Sequence, residues 1–179
     1  MAPEFRPTPG AKGYQHSCTP VFSSIPLLAT LELINKIGFE NMIEKGRKLT
    51  GTLESFLRSS RYHLSPSVPI NESGKVGFKI LTPSAPFRGT QLSIYIVSPE
   101  KGSMPRVFTD CVKLGLVGDE RQPNVIRLSP VVLYNTFVEI GKAFAILEIA
   151  LGKEEEFVRS GKGGKKIIEH DSVGASVAD

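Results

Sequence analysis

The apolar residues of this chain change their period once, across a polar loop, and that change limits the fold more than any other feature. Ahead of the loop 64–75, LSPSVPINESGK, apolar residues recur every three or four positions. Leu27, Leu28, Leu31, Ile34 and Ile37 form one set, Gly38 interrupts, and Met42, Ile43, Leu49, Leu53, Phe56 and Leu57 form the next. Such spacing lines one face of a helix, so two helices are predicted over 24–58, meeting near Gly38. Behind the loop the signal is β. Residues 76–81 and 91–97 read as strands, the second through its run LSIYIV.

Pro105 in a first turn and a closing Gly115 frame Val107, Phe108, Val112 and Leu114, which predicts a short helix over 105–114. The stretch LVGDERQPNVIRLSP predicts two further strands, 116–118 and 125–128, about a turn at 120–124. Thr136 and Glu139 have the spacing of a capping box. They precede an apolar face of Phe137, Ile140, Phe144, Leu147 and Leu151, so a last helix is predicted over 136–151. Two helices followed by strand, strand, helix, strand, strand and helix describe an α+β sandwich, a small sheet covered by helices on one face.

A length of 179 residues suits one domain with a real core and is short for two. We divide it into an N-terminal arm, 1–23, a domain, 24–151, and a mobile tail, 152–179, in which charge, glycine and serine dominate. A net charge of +4 and a pI near 9.1 would suit a nucleic-acid partner if the cations clustered beside aromatics. They cluster only at Lys162, Lys165 and Lys166, so no nucleic acid is expected. No run approaches the roughly 20 apolar residues of a membrane span, so no membrane is expected. The opening MAPEFRPTPGAKG lacks the apolar core of a secretory signal. Cys18 and Cys111 lie far apart without metal-ligand spacing, and His16, His63 and His170 share none with them. The expectation is a cytoplasmic protein without a metal.

Few motifs carry chemistry. GKGGKK in the tail lacks the spacing of a phosphate loop. GYQHSCTP pairs His16 with Cys18, which suggests a base and a nucleophile, although two residues of separation on an extended arm splay the side chains. Ser17 and Thr19 read more simply as backbone caps at a turn, and the arm could equally line another chain's site. In TPSAPFRG, Arg88 has the setting of a site-facing loop as much as of a plain connection. Arg127 raises the sharper question. It stands among Val125, Ile126 and Leu128, which read as a buried strand, where a guanidinium is costly without an anion. One reading is a salt bridge to Asp119 or Glu120 across the turn. The other is a ligand carboxylate held in the planar fork of donors. Spacing alone does not choose.

The stretch GLVGDERQPNVIRLSPVVLYNTFVEI resembles the C-terminal signature of kynureninases, with Gly115, Asp119, Arg121, Pro123, Ile126, Arg127, Pro130, Leu133, Tyr134, Asn135 and Phe137 in step. Upstream, RGTQLSI resembles a strand of the same family, and PEFRPTPGAKGYQHSCTPVFSSIPLLATLEL resembles its segment ending in S-N-P-P with the helix that follows. The resemblance covers about residues 3–151. It implies the small C-terminal domain of the aspartate-aminotransferase-like, type I fold of pyridoxal-phosphate enzymes. It also implies hydrolysis of kynurenine or 3-hydroxykynurenine to an anthranilate and alanine. By the same resemblance Arg127 holds the substrate's α-carboxylate, and Ser17 is a second substrate-binding residue.

Two departures qualify what is carried over. The family's S-N-P-P is S-C-T-P here, so Cys18 stands where an asparagine reaches the cofactor region, and a thiol lacks the amide's paired donor and acceptor. The family also keeps the Schiff-base lysine, the phosphate cradle and the aspartate facing the pyridine nitrogen in a large domain that precedes this segment. Neither they nor any catalytic residue is expected in this chain, which alone is not expected to hold pyridoxal phosphate productively. Three functions follow: the carboxylate-binding part of a kynureninase, working as a homodimer or with a large-domain partner chain; a non-catalytic dimerisation module derived from one; or an independent α+β domain that binds anionic amino acids.

Overall fold

The computed structural model describes residues 6, 8–68 and 74–161. They fall into two compact units, Met1–Met42 and Ile43–Asp179. In the first, the arm is not wholly extended, because Ala11–Tyr14 close a single 3-10 turn. Helix α1, Val21–Ile37, begins three residues ahead of the predicted start. Its N-cap is Pro20, with no side-chain cap, so Ser17 and Thr19 do not have the capping role expected of them. Their polar atoms instead serve Gln15, whose Nε2 donates to Ser17 O at 2.7 Å and to Thr19 Oγ1 at 3.5 Å. Gly38 ends the helix with φ +90°, a conformation open to glycine, and α2, Phe39–Ser59, starts at the next residue. No residue of α1 is buried, and Phe22, Ile25, Leu27, Leu28 and Leu31 are all exposed. Helix α1 is apolar on most of its faces, as helices that are covered usually are.

The second unit holds the sheet. Its strands are β1, Gly77–Ile80, β2, Leu92–Val97, β3, Asp119–Arg121, and β4, Val125–Leu128, in the order β1-β2-β4-β3 and antiparallel throughout. Phe78 faces Ile96, Ile94 faces Ile126 and Leu92 faces Leu128, so one face of the sheet is continuously apolar. Leu49, Leu53 and Leu57 of α2, Met104, Val107 and Cys111 of α3, Ser103–Lys113, and Ile140, Leu147 and Leu151 of α4, Phe137–Arg159, pack with it into one core. The predicted α+β class holds. So does the capping box: Glu139 N donates to Thr136 Oγ1, and Thr136 N donates to Glu139 Oε2 at 2.7 Å.

Two expectations need correction. The strand predicted at 116–118 is displaced to Asp119–Arg121, and Val117 is exposed in a loop. Only Gln122, Pro123 and Asn124 separate β3 from β4, so the turn fixes the register and pairs whatever lies beside it, polar or not. Charged residues also suit an unpaired sheet edge. The tail expected to be mobile from residue 152 is helical to Arg159, with Glu154 buried; residues 162–179 lie outside the described set.

Gly77 marks the tightest packing on the sheet. The backbone of Tyr62–Leu64 runs alongside β1, with Phe78 N donating to Tyr62 O at 2.8 Å and Leu64 N donating to Phe78 O at 2.9 Å. A Cβ at Gly77 would stand 2.6 Å from Tyr62 O and 2.9 Å from Leu64 Cγ. Gly77→Ala is therefore expected to lower stability by about 2 kcal/mol in denaturant unfolding. An unchanged midpoint would mean that this crossing is loose.

Candidate functional site

Arg127 is not buried in the sense its neighbours suggest. Successive side chains of a strand alternate between faces, so Ile126 and Leu128 enter the core while Arg127 stands on the opposite face with Ser93 and Asp119 across the ladder. Its side chain is 30% exposed. Both earlier readings meet there. Asp119, directly opposite in the register, accepts through Oδ2 from Arg127 Nε at 2.8 Å and from Arg127 Nη2. Arg121, two residues on and on the same face, places Nη2 2.9 Å from the same oxygen. The hydrogen bond from Arg127, with the charge of Arg121, holds the Asp119 carboxyl below the usual carboxylate range. The salt bridge to Asp119 is thus present, and the one to Glu120 is not among the ion pairs of the described residues.

Arg127 and Asp119 also line a groove of about 760 Å³. Its walls come from the loop 114–118, from Gln91, from Pro130, Val131, Tyr134 and Asn135 ahead of α4, and from one side of α4. Asn135 is fixed by accepting from Val131 N at 2.7 Å, and Glu139 is committed to the helix cap, which also lowers its pKa. Each donor group of a guanidinium can be counted: five N–H bonds, of which Asp119 takes one from Nε and one from Nη2. The remaining three, two on Nη1 and one on Nη2, make no hydrogen bond among the described residues. The groove can therefore take a carboxylate at its cationic corner and an apolar or aromatic body along Leu114, Leu116 and Ile140.

Ser17 and Cys18 belong to the first unit, where both are exposed. His16 and Cys18 make no hydrogen bond to each other. Arg88 is structural: its side chain is 6% exposed and donates to Glu54 on α2. Burial pushes the Glu54 carboxyl up, but hydrogen bonds from Arg58 and Arg88 outweigh it and leave the pKa lowered. Cys111 is buried, and burial pushes its thiol up to about 12, so it is inert as a nucleophile. No group of His, Cys, Asp and Glu among the described residues could hold a metal ion. No single described helix is long and apolar enough to cross a membrane.

Sequence reasoning missed the groove itself and the roles of Gln91, Tyr134 and Lys142 on its wall. The resemblance had placed Tyr134 and Asn135 in a family signature, which was the one available signal. The groove does not fit pyridoxal phosphate. Its one wall lysine, Lys142, is exposed, whereas a lysine that reacts with a carbonyl is usually desolvated.

An α+β domain with an antiparallel four-stranded sheet and a groove with Arg127 on its wall is the class that fold and site define. Residues 67–147 match the family model of the kynureninase C-terminal domain. The chain is 66% identical over 156 residues to kynureninase of Cryptococcus neoformans var. neoformans serotype D, covering 87% of this chain and 34% of that protein. It is 40% identical over 157 residues to kynureninase of Eremothecium gossypii and 38% identical over 152 residues to that of Nematostella vectensis, covering 84% of this chain in each case. Over 87% of its length the chain is similar to the C-terminal part of kynureninases, and it spans about a third of the length of the relatives it matches.

Proposed function

We propose that this chain supplies the substrate-carboxylate-binding part of a kynureninase, an enzyme that hydrolyses kynurenine or 3-hydroxykynurenine to anthranilate or 3-hydroxyanthranilate and alanine. The observation that carries it is Arg127, on the wall of the 760 Å³ groove with three donors uncommitted among the described residues. A planar fork fixes a carboxylate in one orientation, and a fixed carboxylate sets the α-carbon in place for reaction. The apolar length of the groove suits the aryl ketone of such a substrate.

The reading includes the type I fold of pyridoxal-phosphate enzymes for the complete assembly. We assign the cofactor to groups other than those of the groove. Ser17, as a substrate contact, and Cys18, near the cofactor, rest on the resemblance alone. The exposed apolar residues of α1 support a covering partner, a second copy or a large-domain chain. The free cysteines fit a cytoplasmic setting. No observation favours a non-catalytic dimerisation module or an independent domain.

The test is to titrate the full chain with L-kynurenine and with kynuramine, which lacks only the carboxylate, while following the Arg127 Nε–Hε resonance. The reading expects L-kynurenine to shift that resonance and kynuramine to leave it, with the effect abolished in Arg127→Ala. Equal responses to the two compounds would remove Arg127 from substrate recognition.

A further inference from the structure

The carboxylate already bound to Arg127 has two possible meanings. Asp119 could compete with a substrate for the guanidinium, or it could hold the guanidinium ready for one. The geometry distinguishes them. A guanidinium offers a side edge, Nε with Nη2, and an end, Nη1 with Nη2, and each can meet one carboxylate. Asp119 uses the side edge alone and does so through one oxygen, Oδ2. The end stays available.

Charge points the same way. Arg121, Asp119 and Arg127 form a row on one face of the β3–β4 pair, two cations about one anion, so the trio keeps a net charge of +1. Glu139, the other acid on the groove wall, is occupied by its own helix cap. An arriving carboxylate would therefore meet a cation whose internal partner leaves the row one negative charge short of neutrality. The backbone fixes the arrangement as well. Asp119 and Arg127 are direct partners in the antiparallel ladder, and Arg121 grips Asp119 from two residues along the same strand. A pair this exposed contributes little to stability, so its alignment is better explained by what it does to Arg127.

We propose that Asp119 is a positioning residue: it clamps the side edge of Arg127, with Arg121 as its anchor, so that the end of the guanidinium receives the α-carboxylate of the substrate. This rests on the reading of Arg127 given above. It assigns the carboxylate an end-on, two-point contact with Nη1 and Nη2, made while the contact to Asp119 persists.

The experiment uses the full chain with L-kynurenine as probe, and kynuramine as the control without a carboxylate. Asp119→Asn is expected to weaken L-kynurenine binding about tenfold, and Asp119→Glu to recover part of it, with melting temperatures close to the parent. A structural role alone would move the melting temperature and leave the affinity of the folded protein unchanged. In the unsubstituted chain the Arg127 Nε proton should exchange slowly with solvent both before and after L-kynurenine is added. That measurement needs no variant to fold. Release of the Nε proton on binding, or Asp119→Asn binding as tightly as the parent or more so, would show that Asp119 competes with the ligand, and would overturn the proposal while the reading of Arg127 stands. Absence of any carboxylate-dependent response in the parent would overturn both.

Discussion

Replacing Glu154 by alanine is expected to cost about 3 kcal/mol of folding stability, a fall of roughly 10 °C in melting temperature for a domain of this size. The side chain of Glu154 is 2% exposed on α4, and it is held by a fork: Arg106 Nε donates to Oε2 at 2.8 Å and Arg106 Nη2 to Oε1 at 2.6 Å. Ser98 Oγ adds a donor at 3.3 Å, and the guanidinium of Arg106 lies over the Phe157 ring at 4.5 Å. The hydrogen bond from Glu154 raises the pKa of Arg106 above its ordinary value. Truncation would leave Arg106 facing a hollow between α3 and α4 with its charge unmatched. That residue is about one-third exposed and can partly rehydrate, which keeps the expected cost at the low end for a broken buried pair. Glu154→Gln keeps the shape and should lose less than half as much. Thermal and denaturant unfolding of both variants provide the check. A change below about 1 kcal/mol in Glu154→Ala would mean that the last turns of α4 contribute nothing to the core.

Glu154 also shows where sequence reasoning stopped short. Leu147, Leu151 and Val158 continue one helical face, with Glu154 standing at the position between them where an apolar residue belongs. Read as composition, KEEEF is solvated charge. Read as periodicity, it is two more turns of helix with one buried acid that needs a partner, and Arg106 is 48 residues away. Strand β2 was legible through its run LSIYIV and β4 through the apolar Val125, Ile126 and Leu128, and the start of α4 because a capping box has a spacing of its own. Strand β3 was not, since a three-residue edge strand of Asp, Glu and Arg has no apolar signal and takes its place from the turn. The site was legible as one residue. Arg127 was singled out, but its burial was overestimated by reading apolar neighbours along the chain instead of across the faces of the strand. The groove around it is assembled from α4, β4 and two loops, which no local pattern announces.

The second large effect is expected at Arg127 itself, in a setting where turnover can be measured. A chimera would carry this chain in place of the matching third of the C. neoformans kynureninase, to which it is 66% identical. Arg127→Lys in that chimera keeps the positive charge but loses the planar pair of donors. A lysine ammonium is a compact point charge whose three rotating donors do not match the two carboxylate oxygens in one plane, so the carboxylate is held more weakly and the α-carbon is no longer set in one place. Loss of a charged, two-point contact predicts a fall of about 2 kcal/mol in transition-state stabilisation, roughly thirtyfold in kcat/KM. The paired measurement is kcat/KM and melting temperature on that one variant. The account predicts the thirtyfold loss with a melting temperature within a few degrees of the parent, because Arg127 stands on the open face of the sheet. Unchanged turnover with a lowered melting temperature would contradict it, and would make Arg127 a structural partner of Asp119.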